Sequence, residues 1–171
     1  MQALKYLTRA GDAELASFAN VEAEQHYQRA LELPGAEPGR VELLSGLGLA
    51  YSRQSRFEEA LQVWREAIVL CRAKGDTNGL ARLYARSARA AWYGDVSHSL
   101  KLCQEGLDAI GDAQEGPELA RLFHEAARAH FFNGMPEKAL HLCQESLHMA
   151  ERLGAVDIQA DALATMGMLY D

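Results

Sequence analysis

Proline and cysteine are scarce in this 171-residue chain, and each scarcity excludes something. There are four prolines, Pro34, Pro38, Pro117 and Pro136, so long stretches carry no helix breaker. The three cysteines, Cys71, Cys103 and Cys143, are odd in number and widely spaced, which excludes a disulfide framework. Each sits in an apolar helical pattern, so buried thiols in a reducing, cytoplasmic compartment are expected. No window approaches the roughly 20 apolar residues of a membrane span, and no apolar run follows the basic residues of MQALKYLTRAGD, so neither a membrane segment nor a signal peptide is expected. Positive charge is also short. The net charge of -7 speaks against a nucleic-acid surface, where phosphates need cations across the contact face.

Catalytic signatures are missing too. There is no G-x-x-x-x-G-K-[ST] phosphate loop, no G-x-S-x-G elbow and no H-E-x-x-H. His124-Glu125 is followed by Ala126-Ala127-Arg128 rather than a second histidine. No enzyme and no cofactor are expected.

Alanine, leucine, glutamate and arginine recur throughout, residues that lose little rotamer freedom in a helix. With 49% apolar residues the chain can bury a core. The segment HLCQESLH, His141 to His148, looks at first like a metal site. Its surroundings, LHLCQESLHMA, repeat LKLCQEGLDAI from Leu100 to Ile110, about forty residues earlier. Leu, Leu, Cys, Gln, Glu and Leu recur in register, whereas His141 matches Lys101 and His148 matches Asp108. The two histidines lie about 10.5 Å apart along a helix, too far for metal bonds of about 2 Å, and Cys143 points elsewhere. The histidines are expected to face solvent and the cysteine to join the core.

The period extends over the chain. Gly11, Gly48, Ser87, Ala127 and Gly167 recur about every 37 to 40 residues. The clearest unit, LGLAYSRQSRFEEALQVWREAI, carries Gly48, Tyr51, Phe57, Ala60, Trp64 and Ala67. In the first unit Gly11, Ala23, Tyr27 and Ala30 take matching places, though Glu14 stands where Tyr51 would be. In the third they are Ser87, Ala90, Gly94, Ser99, Cys103 and Gly106, and in the fourth Ala127, His130, Gly134, Ala139, Cys143 and Ser146. Met166-Gly167-x-x-Tyr170 starts a fifth. The spacing predicts helices near 2–17, 20–32, 39–54, 57–73, 77–93, 96–110, 117–133, 136–153 and 156–170. Turns are expected at Leu33-Pro34-Gly35, Lys74-Gly75-Asp76, Gly111-Asp112 and Leu153-Gly154. Pro117 and Pro136 open helices, where proline is tolerated. Gly48 and Ala60 are small enough for two antiparallel helices to approach closely, with Tyr51, Phe57 and Trp64 filling the gaps.

Leu-Gly-x-x-Tyr in one helix and Ala-x3-aromatic-x2-Ala in the next identify the chain as a member of the tetratricopeptide-repeat family. The resemblance covers essentially the whole length. It implies an all-α, right-handed superhelix of four helix pairs plus one extra helix. One array over 1–171 is expected, with repeats near 4–37, 41–75, 80–113 and 120–153 and a partial one at 160–171. Ending inside a fifth repeat, the chain reads as a piece of a longer protein whose open end invites self-association. The run from His124 to Gly167 and the long period also resemble the C-terminal arrays of large bacterial signalling ATPases, including transcriptional activators of the maltose-activator type and multidomain adenylyl cyclases.

Repeat geometry then implies a concave wall built mainly from the first helix of each pair. Its candidate residues are Arg53, Tyr84, Trp92, His124, Arg128, Phe131 and Phe132. Aromatics give contact area at low entropic cost and arginine pairs with carboxylates, which suits a peptide or partner segment. Trp92 and Phe131 equally suit packing between repeats. The carboxylate clamp of chaperone-binding relatives is not expected, because Asp12 would repel it. Arg82, Arg86 and Arg89 form a stripe with no acid between Asp76 and Asp95, read as a solvated face bridged to the next repeat. Three functions follow from the resemblance: a non-enzymatic protein-interaction scaffold, a sensor of a small-molecule effector, or a structural and oligomerisation module.

Overall fold

The computed structural model describes residues 2–111 and 115–170. Nine α-helices account for nearly all of them, and no strand occurs among the described residues: α1 (Gln2–Ala16), α2 (Asn20–Glu32), α3 (Arg40–Arg53), α4 (Phe57–Lys74), α5 (Thr77–Trp92), α6 (Val96–Ile110), α7 (Pro117–Phe132), α8 (Pro136–Leu153) and α9 (Val156–Tyr170). Four antiparallel pairs and a ninth helix are as the repeat predicts. A short 3-10 turn over Glu37–Gly39 leads into α3, which the spacing did not reveal. Asp112, expected in the third turn, lies outside the described residues. No helix among the described residues is long and apolar enough to cross a membrane.

The helix ends follow from the punctuation. Asp76 accepts a hydrogen bond from the Gly79 amide at 2.8 Å and caps α5, and Asp95 does the same for Ser97 at the head of α6. Pro117 and Pro136 stand in the first turns of α7 and α8, where a missing amide hydrogen is harmless. Gly154 closes α8 in the left-handed region, at φ 65 and ψ 25, which a side chain would oppose.

The chain forms two compact units, one ending at Lys74 and the other beginning at Gly75. In the first, α1 packs on α2, α2 on α3 and α3 on α4. Aromatic knobs from the second helix of each pair fill holes left by glycine. A methyl group on Gly11 or Gly46 would stand 2.9 Å or 2.5 Å from the Tyr27 ring, and one on Gly48 would stand 2.2 Å from Trp64 Nε1. Gly48 therefore clears space for the indole of Trp64, one of the residues expected to fill the gaps between the helices. Trp64 is fully buried and donates to the Ser45 carbonyl at 3.1 Å, while Tyr27 donates to Asp12 at 2.7 Å. Phe57 is only half-buried. Ala23, Ala60 and Ala67 have no exposed surface, and Tyr51 is buried. Between pairs, Glu24 binds Arg56 through both carboxylate oxygens, and Gln28 donates to the Tyr51 hydroxyl.

The second unit uses smaller knobs. Cys103 and Cys143 replace the aromatics and are buried, as are Ala139 and Ser146. None of the three cysteines is in a disulfide. Here the large residue comes from the opposite side: a methyl on Gly106 of α6 would stand 2.7 Å from Tyr84 Cβ of α5. Ala120, Met149, Ala150 and Ile158 join α7, α8 and α9 in a core cluster. His141 and His148 are exposed, as the internal comparison implies. Gly94 and Gly134 lie in exposed turns between the helices of a pair. Gly167 and Tyr170 do not act as packing positions here: a Cβ on Gly167 would meet nothing within 4 Å, and Tyr170 is 70% exposed.

Candidate partner-binding face

The first helices of the last repeats, α5, α7 and α9, pack in sequence along one side of the second unit. A single carboxylate organises this side. Glu125 of α7 is buried and accepts from Arg89 Nε of α5 at 2.8 Å and Arg89 Nη2 at 2.5 Å, both on Oε1. Its other oxygen accepts from Arg128 Nη1 at 3.1 Å. Burial works against the charge on Arg89, but Glu125 more than offsets it and holds the guanidinium above its usual pKa. The arginine stripe of α5 is thus bridged to the next repeat at Arg89, as expected. Arg82 is half-buried, and its Nε has no hydrogen-bond partner.

Arg128 does a second job. Its guanidinium carbon sits 5.1 Å from the centre of the Trp92 ring, within cation–π range. Trp92 in turn packs on Phe132, with centroids 5.1 Å apart, and Phe132 packs edge-on against Phe131 at 5.0 Å. The C-terminal ends of α5 and α7 therefore present an aromatic row beside two arginines. Trp92 and Phe131 are half-buried, and Phe132 is 47% exposed. Trp92 Nε1 is buried without a hydrogen-bond partner.

Of the seven candidate residues, Trp92, Arg128, Phe131 and Phe132 come together in this way. Tyr84 and His124 do not join them, and both are corrected to interior positions. Tyr84 is 3% exposed, and the base of its side chain packs directly over Gly106, where a methyl would stand 2.7 Å from Cβ and 2.9 Å from Cγ. His124 is 4% exposed, and its Nε2 meets the Thr165 hydroxyl of α9 at 3.0 Å. Burial lowers the His124 pKa, and Arg89 and Arg128 lower it further against the pull of Glu125 and Asp161. Arg53 belongs to the first unit. There it donates to the Leu15 carbonyl and lies 4.9 Å from the centre of the Phe18 ring. Phe18 is 75% exposed with φ 62, a left-handed backbone unusual for a bulky residue. Glu125 and Thr165, which contact candidate residues, are neighbours that the sequence did not single out. The Glu125–Arg128 spacing of one helical turn was a usable signal for the first, and Thr165 carried none.

Among the described residues no group of three or more His, Cys, Asp or Glu is placed to hold a metal ion.

The arrangement of helix pairs has counterparts among solved structures. A Signal Transduction ATPase with Numerous Domains from Pyrococcus horikoshii, with a tetratricopeptide repeat sensor, aligns over 96% of this chain and 26% of its own, with a TM-score of 0.74 at 20% identity. This fold is the tetratricopeptide repeat. The Rap conjugation gene regulator of plasmid pLS20, in complex with a Phr peptide, aligns over 97% of this chain and 52% of its own, with a TM-score of 0.68 at 16% identity. In sequence, 112 residues are 34% identical to Cellulose synthase operon protein C of Xanthomonas axonopodis pv. citri, which is 63% of this chain. The chain spans only 7% of the length of that relative. No protein-family model matches the chain.

Proposed function

We propose that this chain is a non-enzymatic interaction module that takes a partner's peptide segment on the α5–α7–α9 side. The single observation carrying the proposal is the Arg128–Trp92 stack, anchored from behind by Glu125. An arginine held by a buried carboxylate and laid on an indole is pre-organised, so little rotamer entropy remains to be lost on binding. Aromatic and arginine side chains are also the residue types that dominate binding energy at interfaces. Trp92 Nε1 is a buried donor without an acceptor, a group that a partner carbonyl would satisfy after a small side-chain shift.

The chemistry favours a segment with an apolar residue for Phe131 and Phe132 and an acidic one for Arg89 and Arg128. The pLS20 regulator, solved with a peptide, gives a precedent for peptide binding on this fold. Three buried thiols outside any disulfide fit a reducing, cytoplasmic setting. The module would serve as one array within a longer protein.

Selection of random peptides on the immobilised chain tests the reading. Enriched sequences should pair an apolar with an acidic residue. They should also be lost when selection is repeated on Trp92→Ala. Failure to enrich any motif, or recovery of the same motif on folded Trp92→Ala, would remove peptide binding from this face.

A further inference from the structure

We propose that a second site, a half-open cavity of about 320 Å³ between α6, α7 and α8, binds a small aliphatic carboxylate. Its size lies at the lower end of the range for small-molecule pockets. Leu100 and Leu107 of α6 and Leu142 of α8 form an apolar lining. Cys103, on the same lining, stands where the first two repeats have Tyr27 and Trp64, so a far smaller side chain occupies this level of the stack.

Polar side chains line this cavity as well, among them the neutral Gln104, whose amide donates to Asp108 at 2.8 Å. Lys138, His130 and His141 line it, and no acidic residue does. Neither Lys138 nor His141 has an acidic partner among the described residues. His130 Nδ1 is buried with no hydrogen-bond partner. An orphan ring nitrogen in an apolar lining is costly unless a ligand satisfies it. Burial and, less, the charge of Lys138 lower the His130 pKa and favour its neutral ring. A carboxylate at the mouth would accept from Lys138 and from a neutral His130 with its proton on Nδ1, and the leucines would enclose an alkyl chain. A bare inorganic anion would leave the leucine lining unused, and an alcohol would leave Lys138 unpaired.

The probe is octanoate, titrated into the ¹⁵N-labelled 171-residue chain and followed by amide chemical shifts. Saturable shifts should centre on α6, α7 and α8. Octanol, of equal length without the charge, should bind at least about tenfold more weakly, as should octanoate to Lys138→Glu. Lys138 is exposed, so that variant should keep its circular dichroism spectrum. His130→Leu provides a second variant, expected to weaken octanoate but not octanol. Trp92→Ala should leave octanoate binding unchanged. Shifts that never saturate, equal affinity for octanol, or wild-type affinity in folded Lys138→Glu would each overturn the proposal. A response to a leucine-terminated peptide tighter than to octanoate would move the occupant to a chain terminus and overturn it as well.

Discussion

Single atoms decide much of the packing. A methyl on Gly48 meets Trp64 Nε1 at 2.2 Å, whereas one on Gly167 meets open space. Gly48→Ala should therefore destabilise the chain by about 1–3 kcal/mol through overpacking. Gly167→Ala, in the last turn of α9, should stabilise its helix by up to about 0.5–1 kcal/mol, because alanine loses less backbone entropy. Urea denaturation of both variants checks the opposite signs. His124 makes a second residue-scale prediction. Its pKa is lowered in the folded chain by burial, so the unfolded chain binds its proton more readily. Stability from this group is present above the ordinary histidine pKa of about 6.5 and falls as the pH drops below it. Glu125, Asp161, Arg89 and Arg128 surround it. Thermal unfolding at pH 7.5 and 5.5 should show a drop in Tm that shrinks in His124→Gln. An equal drop in the variant would assign the effect to other groups. Burial also pushes the Cys143 thiol up to about 11, and Cys103 further. Both should resist a thiol reagent at pH 8 until the chain unfolds.

Helices in this chain announce their ends, and that is why the sequence revealed them. Asp76, Asp95, Pro117 and Pro136 start helices, and Gly154 stops one, through interactions with backbone a few residues away. Such signals are local, so reading them needs no knowledge of the fold. Contacts between helices are different. Tyr84 is interior because of Gly106, and His124 because of Thr165, 41 residues along the chain. Repeat geometry gave the correct helix for both but not the depth, which depends on what the next helix presents. Glu125 belongs to the same scale, since it ties α5 to α7 through Arg89. Glu125→Ala should destabilise the second unit by about 1–3 kcal/mol, the range for a lost hydrogen bond to a charged group, moderated by the exposure of Arg89. Chemical denaturation of Glu125→Ala beside Arg89→Ala checks it, and their double variant should show strong non-additivity.

At the scale of the molecule, each unit has its own core, and repeat proteins draw their stability from neighbouring helices. A fragment starting at Gly75 should therefore keep a helical circular dichroism spectrum and a cooperative melt. The same scale holds the central functional claim, that α5 and α7 build one pre-organised binding face around Trp92 and Arg128. The most direct test is the affinity of a selected peptide for the wild type and for Arg128→Glu, measured by fluorescence anisotropy at physiological salt. Reversal of this charge should weaken binding by at least about tenfold, because an attraction to an acidic residue becomes a repulsion. The circular dichroism spectrum should stay helical, while Tm should fall, because the new carboxylate faces the buried Glu125. Equal affinity in a folded Arg128→Glu chain would contradict the claim and place the peptide on another surface.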